Sequence, residues 1–347
     1  LLDIRALYND VNPLDCYIHY LGFNQGHGSA EVGTDVHVAN NAVTSLPGVL
    51  PDSQVLHDRF EAIASDNSMA YRYLREYGPY HLVNLDLCGS MFPNTEQDVQ
   101  PLFTAVDRLL KYQFAKQTTN WLLLITSAVK PAVLDRNLMQ KLCKPTRDNV
   151  DRHRPFAEKV AQLVPSSSFP EGSDSVSLAG LSDGQLVQLF GLALGKWLLH
   201  LGQSPSPQWT VAMRRSFRYT ISESAGAMML SLAYDMSPNI APPVDGTGMS
   251  TLAGQRRTFP SEGECAVKLA ESVSSIVDVE SALAADPAMK ASLRDESANL
   301  LAATGYDRNA YLRWVSDGEG HGAGADRCAV CPGAVPATQE AAGGTEL

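Results

Sequence analysis

No apolar run in these 347 residues approaches the roughly 20 needed to carry a helix across a bilayer, which argues against a membrane span. Positive charge is also scarce. The chain has 27 Lys and Arg against 38 Asp and Glu, a formal net charge of -11. That balance argues against a surface dominated by nonspecific attraction to DNA, while leaving room for a local basic groove. Cysteine is sparse and no secretory signal is visible. Cys16, Cys88, Cys143, Cys265, Cys328 and Cys331 lie mostly apart in apolar or mixed segments. They read as reduced thiols of a cytoplasmic protein. There is no internal repeat. A chain of this length can still bury a large core, in one big domain or two.

The most informative stretch is 77–127. Leu82, Val83, Asn84 and Leu85 form a short run that ends in Asp86, with Cys88, Gly89 and Ser90 just after it. This reads as a buried parallel strand with a polar tip at its carboxyl end. Thr95 and Asp98 suit a loose capping box. Val99, Leu102, Phe103, Val106, Leu109 and Leu110 then recur at helical spacing until Asn120 stops the helix. Residues 121–127 read as a second buried strand. Strand, helix and strand of these lengths make a βαβ crossover. In open α/β sheets ligands sit beyond the carboxyl ends of the strands, so Asp86, Cys88, Gly89, Ser90, Thr126 and Ser127 would all face that edge.

The flanking segments extend the pattern. Residues 1–10 suggest the end of a helix, 16–23 a strand with Asn24 and Gln25 at its tip, and 34–44 a short helix. Residues 53–61 suggest a strand carrying His57, Asp58 and Arg59, and 68–77 a helix with Tyr71 and Leu74 inward. The alternation predicts an α/β fold: a parallel sheet with helices on both faces. Helices are expected at 133–142 and 156–163, with a Ser/Pro/Gly loop between 165 and 177. Ser182 and Gln185 form a capping box ahead of an apolar face that includes Leu186, Phe190 and Trp197, so 181–201 should be buried or dock a partner. Residues 216–221 and 228–236 predict an antiparallel hairpin. Ser261 and Glu264 cap a helix expected to run to Leu283, Asp286 and Pro287 start another that ends at Gly305, and 307–315 is the last. Residues 318–347, rich in Gly and Ala, are expected to be mobile. The domain reading is 1–245 with a helical insertion at 178–205, then a helical segment 261–316, then the tail 317–347.

A strand with a polar tip near Asn24, one ending at Asp58, one ending at Asp86, the crossover and a closing hairpin together resemble a class I S-adenosylmethionine-dependent methyltransferase. The segment PYHLVNLDLCGS is similar to that family's fourth motif. NLDLCG and RYTISESAGAMMLSLAYDM are closest to bacterial three-Cys-motif partner proteins, which occur in mobile-element and defence neighbourhoods. The resemblance covers about residues 1 to 240. It implies a Rossmann-like methyltransferase-type sheet, mostly parallel with a terminal antiparallel hairpin, plus helical additions. It implies S-adenosylmethionine as cofactor, held by Asn24, Gln25, Asp58 and Arg59, with Asp86, Cys88 and Ser90 as catalytic candidates. The sequence also departs from the family. Gly26, Gly28 and Gly33 do not have the spacing of the glycine-rich first motif, and Leu87 and Cys88 stand where amino-methylating enzymes carry proline and an aromatic. Either the cofactor loop precedes Leu1 or the site is degenerate.

Each candidate has a plainer role beside its functional one. Asp86 would face donor and acceptor, or it caps the next turn through backbone N–H groups. Asp58 would approach the adenine edge, or it is an exposed loop acid beside a surface His57. Cys88 would be a nucleophile, but a buried inert thiol is the commoner fate of such a residue. Ser90 would otherwise serve the turn. His321, Cys328 and Cys331 include one Cys-x-x-Cys knuckle but only three local ligands, so no metal is expected. Lys130, Arg136, Lys141, Lys144, Arg147, Arg152 and Arg154, with Arg214, Arg215, Arg218, Arg256 and Arg257, would line a nucleic-acid groove or form solvated faces. Two functions follow: methyl transfer to a nucleic acid, or a non-catalytic methyltransferase-like module that binds a partner protein or nucleic acid.

Overall fold

The computed structural model describes residues 17–23, 40–41, 43–46, 48–87, 89–91, 101–130, 134–170, 175–220, 228–240, 259–303 and 307–316. The chain divides into two compact units. The larger is Tyr17–Glu280; the smaller combines Leu1–Cys16 with Ser281–Leu347. The larger unit holds two sheets. Strands β1 (Leu21–Phe23) and β2 (Gln54–Leu56) pair in parallel. The second sheet has the order β3-β4-β7-β6-β8, from β3 (Leu82–Asp86), β4 (Trp121–Val129), β7 (Met228–Pro238), β6 (Phe217–Thr220) and β8 (Val277–Asp278). Strand β5 (Trp209–Met213) also pairs with β7.

The second sheet is mixed. β3 and β4 run parallel, whereas β7 is antiparallel to β4, β5 and β6. The expected crossover and hairpin are both present. β5 was not anticipated. It lies opposite residues 234–238 of β7 while β6 lies opposite 228–231, so the two form one interrupted strand. Ser216 bridges the interruption: its hydroxyl donates to the Arg214 carbonyl (3.0 Å) and accepts from the Ala233 N–H (3.4 Å).

Helices pack over one face of this sheet. First in the chain come α1 (Met69–Tyr77), α2 (Pro101–Lys116), α3 (Arg136–Arg152) and α4 (Arg154–Leu163). Then α5 (Asp183–Gln203) and α6 (Glu262–Ser274) lie against the strands, and α7 (Val279–Ala285) follows at the boundary of the two units. Val83, Leu85, Leu123, Ile125, Leu230, Leu232 and Tyr234 join one core with α2 and α5. Phe114 stands edge-on to both Trp121 and Trp209, and the Trp209 indole donates to the Phe114 carbonyl at 3.1 Å. The other face is partly open. Leu82 and Leu122 are 38% and 40% exposed, and Asn84 and Asp86 are exposed beside them. The expectation of helices on both faces is therefore not met over β3 and the start of β4. Those strands alternate in burial as half-solvated strands do.

Helix α5 is as buried as its sequence implies. Ser182 Oγ accepts from the Gln185 N–H and Gln185 Oε1 accepts from the Ser182 N–H (3.3 and 3.0 Å), closing the capping box. Leu186, Phe190 and Trp197 all face the core. Each such side chain contributes about 1.5–3 kcal/mol of burial. Helix α6 packs on α5 through Cys265, Ala266, Leu269 and Ala270. It ends at Ser274 rather than Leu283, because Val277 turns to donate its N–H to the Ser216 carbonyl (3.0 Å) and extend the sheet. Helix α3 runs past the expected end at Leu142 with Pro145 inside it, its buried face continuing through Cys143, Thr146 and Arg147.

In the smaller unit, α8 (Pro287–Ala303) starts where the proline is, with Asp286 Oδ1 accepting from the Met289 N–H at 2.9 Å. It packs against α9 (Arg308–Ser316). No helix among the described residues is long and apolar enough to cross a membrane. The suggested helix at 1–10 and the tail 318–347 lie outside the described residues.

Candidate functional site

β1 and β3 belong to different sheets yet line one cavity of about 220 Å³. Leu21, Gly22 and Phe23 form one wall, and the residues from Leu82 to Leu87 form the other. Phe60, Ile63, Leu74, Tyr80 and Leu109 close it. Phe60 opens the 3₁₀ turn Phe60–Ala64 that follows β2, and it meets Phe23 edge-on at 5.8 Å. Tyr80 is fixed by α2: the side chain of Gln113 accepts from its N–H (2.9 Å), and both Gln113 and Gln117 donate to its carbonyl (2.8 and 2.9 Å). Burial pushes its phenol pKa up, so it stays neutral.

Asp86 lies in the cavity wall at the end of β3, exposed, in register with Thr126. The chain after it is strapped to β4. The Leu87 N–H donates to the Thr126 carbonyl (3.2 Å), the Ala128 N–H to the Gly89 carbonyl (3.0 Å) and the Met91 N–H to Ser127 Oγ (2.9 Å). Across the sheet, register places Asp86, Thr126, Ser231, Phe217 and Tyr219 on the same face, exposed at Asp86 and half-buried at the other four. The Thr126 and Ser231 hydroxyls are 3.5 Å apart. Burial first, and the nearby Asp86 charge second, raise the Tyr219 phenol above its ordinary value. Ser231 and Tyr219 were not anticipated. The hairpin was visible in the sequence, but only its register with β4 tells which residues share a face with Asp86.

The other candidates fall into three groups. Asp58 and Arg59 immediately precede Phe60, so they stand beside the cavity without lining it. One oxygen of Asp58 already accepts from the Arg59 N–H at 2.7 Å. His57 is exposed. Ser90 is buried in the strap rather than presented to the cleft. Asn24, Gln25, Cys88, His321, Cys328 and Cys331 lie outside the described residues. Among the described residues no cluster of His, Cys, Asp and Glu could hold a metal ion.

Several of the basic residues are held by their own chain. Arg214 pairs with Asp235, Arg218 with Asp278 (2.9 Å) and Arg154 with Glu158 (2.9 Å). Arg147 is buried and bonds Asp151 at 3.1 Å, and Arg215 stacks on Phe217 with 5.8 Å to the ring centroid. Arg136, Lys141, Lys144 and Arg152 are exposed on α3, while Arg256 and Arg257 lie outside the described residues.

Fold and site together define a mixed α/β protein with a small cleft between two strand edges and a carboxylate in its wall. The chain belongs to the PP_RS20740-like family, whose model matches residues 1–316. No curated protein and no solved structure matches it.

Proposed function

We propose that this is a methyltransferase-like protein that takes S-adenosylmethionine into the cleft between β1 and β3 and passes its methyl group to a nucleic acid, with Asp86 orienting the acceptor. The observation that supports this most is the meeting of Phe23, Phe60 and Asp86 in one cavity wall. Each lies at or just beyond the end of a different strand, where α/β sheets hold their ligands. The wall suits such a donor in kind. Phe23, Phe60, Ile63 and Leu74 offer an apolar slot for a flat ring, and Asp86 adds a charge at its end. At about 220 Å³ the cavity is smaller than the roughly 300–1,000 Å³ of common ligand pockets, so the described wall suits one ring system.

Bound there, the donor would supply an electrophilic methyl group for in-line displacement. The chain's own part is positioning. Asp86 is an exposed acceptor for a hydrogen bond from the acceptor group, and the strap to β4 fixes the turn behind it. The Tyr219 phenol, held protonated by its surroundings, is a donor on the same face.

The second reading is a non-catalytic module that binds a partner protein or a nucleic acid. The small cavity, lined mostly by apolar residue types, favours it, as does the Asp58 oxygen engaged by Arg59. The likeness to three-Cys-motif partner proteins would place either reading in a bacterial defence or mobile-element system. The readings separate on Asp86→Ala, assayed with radiolabelled donor and mixed nucleic acid. The enzyme reading expects label transfer by the wild type and background label from the variant, with little change in melting temperature. Equal transfer by both proteins refutes the role of Asp86.

A further inference from the structure

A second cavity, of about 570 Å³, lies on the outer face of α1. Its described wall includes Asp66, Ser68, Tyr71, Arg72, Arg75 and Glu76. The Tyr71 ring forms part of the floor, with the Arg108 guanidinium 4.9 Å from its centroid. Arg108 is itself held by Asp66 at 2.8 Å and by the Ile63 carbonyl at 3.3 Å, so the Asp66 charge is neutralised. Arg75 approaches the same ring at 5.9 Å, and Arg72 stands 6.0 Å from the ring of Tyr73. Both are exposed, and among the described residues neither forms an ion pair. Arg214, Arg218 and Arg154, in contrast, hold carboxylates of their own chain.

We infer that this groove binds single-stranded nucleic acid, with Arg72 and Arg75 on the phosphates and the guanidinium planes over Tyr71 as the stacking surface for a base. Aromatic and arginine planes beside unpaired cations are what sequence-tolerant binding to single strands requires. With a net charge of -11, a polyanion would be held by a locally cationic groove rather than by the surface at large, and in the described wall Arg72 and Arg75 outweigh the one carboxylate, Glu76, that Arg108 does not pair. The groove also adjoins the cleft: Leu74, on the other side of α1, lines the cavity beside Asp86. The inference rests on the proposed function only in taking nucleic acid as the acceptor. It is tested without any methyl donor, so the two can fail separately.

The test is fluorescence anisotropy of the full chain with a labelled, mixed-sequence single-stranded DNA across a salt series. Each phosphate contact adds about 0.7 to the slope of log affinity against log salt. Arg72→Gln with Arg75→Gln should therefore lower that slope by about 1.4 and weaken binding at low salt by at least about tenfold. Lys141→Gln with Lys144→Gln, on the exposed face of α3, should leave both nearly unchanged. Circular dichroism verifies that the variants are folded. No binding by the wild type overturns the inference. So does unchanged affinity in the Arg72 and Arg75 variant, or an equal loss in the α3 variant. Binding of DNA by a chain that transfers no label in the separate donor assay keeps the inference and removes the donor reading alone.

Discussion

Removing Glu262 should destabilise the protein far more than removing the lysine it faces. Lys196, on α5, is fully buried, and its ammonium donates to Glu262 Oε1 at 2.5 Å. Burial lowers the Lys196 pKa, and Glu262 works against that shift. Glu262→Ala leaves a buried ammonium without its hydrogen-bonded carboxylate, with the weaker influence of Asp148 remaining. Such a loss costs 3–5 kcal/mol in a fully buried pair. Glu262 is 40% exposed, so water can reach part of the gap and about 3 kcal/mol is the better figure. For a unit of this size that lowers the melting temperature by about 6–12 °C. Lys196→Met removes the charge with its desolvation cost and should fall within about 1 kcal/mol of wild type, or above it. The sign with pH follows. The folded protein holds the Lys196 proton less tightly than the unfolded chain, whose value is near 10.5. Stability from this group therefore rises as pH climbs towards 10.5, and the Glu262→Ala deficit should shrink between neutral pH and pH 10. Calorimetric melting of both variants across that range is the assay. A Lys196→Met loss as large as that of Glu262→Ala would refute the reasoning.

Leu122 and Leu123 are neighbours on opposite faces, the first 40% exposed and the second fully buried. Leu122→Lys should change stability by no more than about 1 kcal/mol, whereas Leu123→Lys should cost more than about 4 and fail to fold in a denaturant titration. Gly195→Ala would gain about 1 kcal/mol of helix propensity but place a Cβ 2.5 Å from Leu269 Cδ1. Overpacking of about 1–3 kcal/mol should win, giving a lower denaturation midpoint that Leu269→Ala in the same chain relieves. Burial pushes the Cys143 thiol from 9.0 up to about 12, so the unfolded chain loses that proton first and stability falls as pH rises above 9. Cys143→Ala should make that alkaline fall shallower in unfolding curves taken between pH 8 and 10.5.

What the sequence revealed was local. The Ser182 and Gln185 capping box, the Asp286–Pro287 start and the runs that became β3 and β4 each carry their signal within a few residues. What it hid depends on distant partners. Leu82 and Leu122 suggested doubly buried strands, yet exposed leucines are ordinary and hydrophobicity alone does not show which face is covered. The helix expected to reach Leu283 stops at Ser274 because β8 finds β6, some sixty residues away in the chain, as its partner. The sequence suggested a helix end at Leu142 that α3 passes through, since its next turn still buries Thr146 and Arg147. Asp86 was legible as a strand tip. The cavity beside it was not, because β1 and β3 meet only in the fold. Tyr219 and Ser231 join it by register alone.

The measurement that tests the central claim most directly is a calorimetric titration of the full chain with S-adenosylmethionine, in the wild type and in Phe60→Ala. Phe60 lines the cleft and meets Phe23, so the variant removes one wall of the apolar slot. The account predicts saturable binding at one site, weakened by about tenfold or more in Phe60→Ala, as expected when a buried ring contact worth about 1.5–3 kcal/mol is lost. Absence of any binding heat, with no shift of the melting temperature by the donor, would contradict it. So would equal affinity in the two proteins.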